Sequence, residues 1–169
     1  MHIIRPPCRV LVLEINEISW ELMHSWLQNG ELPNFRRLQQ EGTWGCTTTD
    51  EPVGPDGLLE PWVTWTTLYT GVHHTEHGVQ YLEQPPETIR AKRVWEIAAS
   101  LGKSIGVSGS SNSWPPLRSK GFVVPGSFSP DSQTWPEELR PIQDLNLRYT
   151  RSHTPGAKPP GRLESIMLG

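Results

Sequence analysis

Apolar and polar positions along this chain change their spacing again and again. Residues 10–15 (Val10, Leu11, Val12, Leu13, Glu14, Ile15) form a nearly unbroken apolar run, which predicts a strand covered on both faces in a parallel sheet. The spacing then becomes helical: Trp20, Met23, Trp26 and Leu27 recur behind a capping Ser19 and stop at Asn29-Gly30. A second helix is predicted from Pro33, with Phe35 and Leu38 on one face and Gly42 closing it. Residues 43–49 are β-branched and polar and read as a strand, and residues 50–59, with two Pro and two Gly, read as a loop.

Pro61 and Gly71 bracket a third helix: a missing N–H costs nothing in the first turn, and glycine suits the position just past the end. Val94, Ile97, Ala98 and Leu101 form the stripe of a further helix, which leads into a short strand over 103–109. Beyond it, 110–116 reads as a loop, 121–124 as a strand, and 136–149 contains a helical stretch around Glu137, Glu138 and Leu139. The alternation predicts an α/β fold: an open, mainly parallel sheet with helices on both faces, occupying residues 1–150. Residues 151–169, rich in Pro, Gly and Lys, are predicted to be a disordered tail. In open parallel sheets ligands bind beyond the carboxyl ends of strands, and Asn16 and Glu17 stand at such an end.

Chemistry concentrates in residues 59–78, where Glu60 precedes a run of threonines (Thr64, Thr66, Thr67, Thr70) and three imidazoles (His73, His74, His77). Glu60 falls at the N-cap of the helix that begins at Pro61, beside unpaired amides that favour an anion or a phosphoryl oxygen. It reads equally as a plain capping carboxylate and as a ligand or acid–base group. Threonine inside a helix usually bonds the preceding turn, which is the competing reading for Thr64, Thr66 and Thr67. The three histidines match no closed zinc spacing, so His77 is expected to stabilise a turn, with His73 and His74 facing solvent. Trp20, Trp26 and Trp95 are expected in the core, and Trp62, Trp65 and Trp114 along an apolar wall of a crevice.

The run Trp65-Thr66-Thr67-Leu68-Tyr69-Thr70-Gly71 followed by His77-Gly78 resembles the W-T-x-x-x-T-G … H-G stretch of the alkaline phosphatase superfamily, in particular its type I phosphodiesterase, nucleotide pyrophosphatase and sulfatase-like branches. Three other segments resemble the family in the same order. Residues 10–17 look like its first core strand, Leu32-Pro33-Asn34 through Leu38 to Gly42 like its L-P-N-x-x-x-L-x-x-x-G helix, and Trp95 through Gly102-Lys103 like the helix that leads into a strand. The resemblance implies an alkaline phosphatase-like fold of which this chain is an N-terminal, incomplete portion. It also implies a metal-dependent hydrolase of phosphate or sulfate esters using divalent ions (Zn, Mn or Mg), with a small-molecule ester as substrate.

On that resemblance Asn16, Glu17 and Glu60 fall near the metals, and Thr64 and Glu60 are the catalytic candidates. The chain departs from the family at two positions. Asn16 stands where the family has a metal-binding Asp, and Pro61, ten residues before Gly71, stands where it has a Thr or Ser nucleophile. A neutral carbonyl oxygen binds a divalent cation more weakly than a carboxylate does. The alternative expectation is therefore a catalytically inactive or truncated relative that binds a ligand or partner.

Charge adds little to this picture. A net charge of -3 and a pI near 6.1 give no polybasic field, so neither nucleic acid nor an anionic membrane is expected as a partner. No apolar stretch reaches the ~20 residues of a transmembrane helix, and the N-terminal residues lack the apolar core of a secretory signal. A cytoplasmic protein is the expectation, with Cys8 and Cys46 as free thiols. An uncovered sheet edge makes self-association a further expectation.

Overall fold

The computed structural model describes residues 9–16, 18–49, 59–81 and 84–152. The chain divides into two compact units, Met1–Thr48 and Thr49–Gly169.

The first unit contains helices α1 (Trp20–Gln28) and α2 (Pro33–Glu41). Helix α1 begins where Ser19 takes an extended conformation and its hydroxyl oxygen accepts from the Leu22 amide at 3.4 Å. The same hydroxyl donates to the Glu21 carboxylate at 2.7 Å, a bond that holds the Glu21 carboxyl below its ordinary range. Pro33 opens α2 and the Gly42 amide closes it on the Leu38 carbonyl. Little is buried here: Leu27 is enclosed, whereas Trp20 and Trp26 remain 42% and 41% exposed, against the expectation of core positions. Trp20 packs instead on Trp44, with ring centroids 5.5 Å apart.

Two predicted strands of this unit do not form. Residues 10–15 and 43–49 carry no strand pairing, and Val10, Leu11, Val12 and Leu13 are 67–89% exposed. A strand needs a neighbour for its N–H and C=O groups and a surface on which to bury its side chains, and neither is present among the described residues of this unit. The apolar run signals a demand for burial on both faces; it does not create the partner.

The second unit is where the α/β character resides. Helices α3 (Pro61–Thr70), α4 (His74–His77) and α5 (Val94–Ser100) precede strand β1 (Ile105–Ser108), strand β2 (Gly121–Val124) and helix α6 (Arg140–Ser152). The two strands pair in parallel, Ile105 opposite Gly121 and Ser108 opposite Val124. On the other side of β2, Val123 and Trp135 exchange backbone hydrogen bonds in an antiparallel bridge. The predicted strands at 103–109 and 121–124 are thus present, in a mixed helix–strand unit with a two-stranded parallel sheet.

Tyr69, Trp95, Val107 and Val123 form the buried core, with Trp65, Ile105, Leu117 and Trp135 packed around it. Tyr69 meets Trp95 edge-on at 4.8 Å, an arrangement that suits the aromatic quadrupoles. Gly121 is indispensable to this packing. Its φ is +113° and a Cβ there would lie 1.8 Å from the Ile105 carbonyl oxygen, so only a residue without a side chain lets β2 start beside β1. Among the described residues no helix is long and apolar enough to cross a membrane.

Candidate functional site

Helix α3 forms as predicted. Pro61 occupies its first turn, Glu60 is the N-cap, and Gly71 leaves the last turn in the left-handed conformation with its amide on the Thr67 carbonyl. The Glu60 carbonyl accepts from the amides of Val63 and Thr64, while its carboxylate makes no cap hydrogen bond and is half-buried. An uncommitted acid therefore stands at the first turn, where Pro61 has no N–H and the Val63 and Thr64 amides are taken by the Glu60 carbonyl.

The loops that follow β1 and β2 meet the first two turns of α3 through side-chain contacts. Asn112, in the loop after β1, donates from Nδ2 to the Thr66 hydroxyl at 2.6 Å and to the Trp62 carbonyl at 3.4 Å. Phe128, in the loop after β2, lies edge-on to Trp62 at 4.8 Å. Asn112 holds a positive φ of 54°, uncommon outside glycine but tolerated best by Asn and Asp.

Arg93 is what keeps Asn112 there. Its guanidinium grips Glu96 through two nitrogens, at 2.6 and 2.9 Å, and donates a third hydrogen bond to the Asn112 carbonyl. Burial works to raise the Glu96 carboxyl, but the Arg93 side chain, the Arg93 amide at 2.7 Å and the adjoining positive charge outweigh it and hold the group below its usual range. Helix α5, the β1 loop and α3 are joined in this way by one polar chain.

A second network fastens the two loops to each other. The Ser113 hydroxyl donates to the Ser110 carbonyl and accepts from the Gly126 amide at 3.1 Å. The Gly126 carbonyl in turn accepts from Ser129 at 2.6 Å and from the fully buried Gln143 of α6 at 3.2 Å. A Cβ on Gly126 would come within 2.8 Å of the Ser110 carbonyl oxygen, so this close approach requires glycine. Trp114 is anchored nearby by its indole N–H on Asp131 at 3.0 Å.

The threonines are mostly turned inward. Thr64 donates to the carbonyls of Pro61 at 3.2 Å and Glu60 at 3.4 Å, Thr66 to that of Trp62 at 2.6 Å, and Thr70 to that of Thr66 at 2.7 Å. Each of these satisfies a helix carbonyl, so Thr64 offers its oxygen as an acceptor while its proton is occupied. His77 is wholly buried. Its Nδ1 accepts from the Val79 amide at 3.1 Å, which places the ring proton on Nε2, 2.9 Å from the Thr67 hydroxyl. It is the turn-stabilising histidine the sequence suggests. His73 and His74 are half-buried, not solvent-facing, with rings 4.1 Å apart.

Glu60 and Thr64 thus stand together on the first turns of α3, near the loops that follow β1 and β2. Asn16 is an exposed turn residue of the first unit, and Glu17 lies outside the described residues, as do Cys8 and the chain from 153 onward. Cys46 is free and exposed. Among the described residues no three or more His, Cys, Asp or Glu side chains gather as a metal would require. Sequence reasoning passed over Arg93, Glu96, Asn112 and Gln143. The i, i+3 pairing of Arg93 with Glu96 at a helix start was a visible signal; the reach of Arg93 to Asn112 was not. Compared with protein-family models, curated proteins and solved structures, the chain matches none.

Proposed function

We propose that this chain carries the ester-binding part of a metal-dependent hydrolase of phosphate or sulfate esters, of the phosphodiesterase and nucleotide pyrophosphatase type. The reading rests on the family-like order of segments and on one observation above all: the loops after β1 and β2 come to the first turns of α3, where Glu60 stands. An ester at that helix start would meet the positive end of the helix dipole, with Glu60 as the acid–base group and Thr64 the nearest hydroxyl oxygen. The described residues do not provide a donor set for a metal, so no step is assigned to one. The full chain, assayed with Zn²⁺, Mn²⁺ or Mg²⁺ against phosphomonoesters, phosphodiesters and aryl sulfates, is expected to turn over at least one class. Glu60→Gln is expected to abolish that turnover. Silence toward the whole panel would remove the proposal.

A second reading, a catalytically silent relative that binds an ester or partner, is favoured by the Thr64 proton being committed to helix carbonyls and by Pro61 at the nucleophile position. Calorimetric titration with the same ions separates the two. Tight binding that disappears in Glu60→Ala supports the hydrolase, and its absence supports the silent relative.

A further inference from the structure

Arg93 precedes the first turn of α5, far along the chain from α3, yet its hydrogen bonds lead to the first two turns of that helix. A guanidinium carries its N–H donors on one rigid plane, so fixing two of its nitrogens sets the aim of the third. Here Nε and Nη2 are fixed by the two Glu96 oxygens, at 2.9 and 2.6 Å, and one of those oxygens also accepts from the Arg93 amide at 2.7 Å. The carboxylate is thereby locked to the helix start, and Nη1 is left to donate to the Asn112 carbonyl. The Arg93 side chain is 11% exposed, so water competes little with this geometry.

Asn112 passes the constraint on. Its left-handed φ of 54° is disfavoured for a residue with a Cβ, and the residue is bonded at both ends: its carbonyl to Arg93, its Nδ2 to the Thr66 hydroxyl at 2.6 Å and the Trp62 carbonyl at 3.4 Å. Thr66 itself donates to that Trp62 carbonyl at 2.6 Å, which closes a triangle of bonds on α3. Trp62 stands between Glu60 and Thr64 in the chain, so a displacement of Asn112 reaches the backbone that carries both.

We propose that Arg93 and Asn112 form a positioning relay for the α3 site, setting where Glu60 and Thr64 stand relative to the loops after the strands. Its catalytic sense rests on the ester reading above; the coupling between Arg93 and α3 does not. Bulk and charge alone do not replace the relay. Lysine keeps the charge and most of the length, but it is a point charge that cannot hold two carboxylate oxygens and a carbonyl in one plane.

The test is Arg93→Lys in the full chain, with circular dichroism to check the fold. Backbone NMR is expected to show shifts at the amides of Trp62, Val63, Thr64 and Thr66, and the Asn112 side-chain amide protons to exchange about tenfold faster. Thr66→Val keeps the shape of the threonine and removes the oxygen that Asn112 bonds. In a denaturant double-mutant cycle it is expected to couple to Arg93→Lys by about threefold or more in the unfolding constant, where a residue that merely packs gives additive losses. With an ester that is turned over, Arg93→Lys is expected to lower kcat by about tenfold or more and to leave KM within about twofold. If Arg93→Lys does not fold, Asn112→Gly, which accepts the positive φ without the side chain, is expected to give the same α3 shifts and the same coupling to Thr66→Val. Unmoved α3 amides in a folded variant, additive losses in the cycle, or an unchanged kcat in an active chain would each overturn the relay. A chain silent toward every ester removes the ester reading alone, and the shifts and the cycle still decide the relay.

Discussion

In the first unit, two properly ended helices leave Trp20, Leu22 and Trp26 exposed and enclose Leu27. In the second, α3 and α5 start from local signals no stronger, yet bury Val63, Thr66, Tyr69 and Trp95. The difference lies in what the helices meet. The second unit has a paired set of strands whose Val107 and Val123 offer an apolar surface, while residues 10–15 of the first unit are an apolar run with no strand beside it among the described residues. Caps and periodicity are enough to make a helix; burial requires a second surface.

That contrast can be broken at the strand pair. Gly121→Ala forces a side chain into the Ile105 carbonyl at a left-handed position and is expected to cost about 4 kcal/mol or more, unfolding the second unit in a denaturant titration. Trp95→Ala removes a core aromatic and should cost about 3–4 kcal/mol, whereas Trp26→Ala in α1 should cost less than about 1 kcal/mol. Equal losses at the two tryptophans would erase the distinction between the units. Asn112→Ala strips the donor from the Thr66 hydroxyl and leaves alanine at positive φ, for a loss of about 1–3 kcal/mol read by thermal unfolding.

Acid sharpens the same contrast. The Glu96 carboxyl titrates lower in the folded chain than in the unfolded one, so its stabilisation is complete above the ordinary glutamate value of about 4.3 and is lost as pH falls through the folded value. Amide protection factors in α5 should fall over that acid range in the parent, and their acid dependence should flatten in Arg93→Ala. A comparably small effect is expected at the start of α1: Ser19→Ala removes a cap and should cost about 1 kcal/mol of helicity, with the second unit unchanged by circular dichroism and NMR.

How far the sequence could be read depended on the range of the interaction. Ser19, Pro33, Pro61 and Gly71 mark helix ends because a cap is made by residues a few positions apart, and the structure has those ends where expected. The strands at 105–108 and 121–124 were legible because β-branched residues sit between turn signals. Residues 10–15 carry the strongest strand signal in the chain and form none, since a ladder depends on a partner that a periodic pattern cannot name. In the candidate site Glu60 and Thr64 were legible as N-terminal residues of α3. The direction of the Thr64 proton and the bridge from Arg93 to Asn112 were not, because they join residues that only folding brings near.

The sequence by itself determined where helices begin and end, that helix and strand alternate, and that acids, hydroxyls and imidazoles crowd into one stretch. Those are properties of neighbours along the chain, decided by φ, ψ and spacing over one or two turns. Only the tertiary structure decided which side chains are buried, that β1 and β2 lie side by side, and that Asn112, Arg93 and Thr66 share one hydrogen-bonded chain. Burial and pairing are contests among surfaces distant in sequence, and their outcome depends on which surfaces are present to meet.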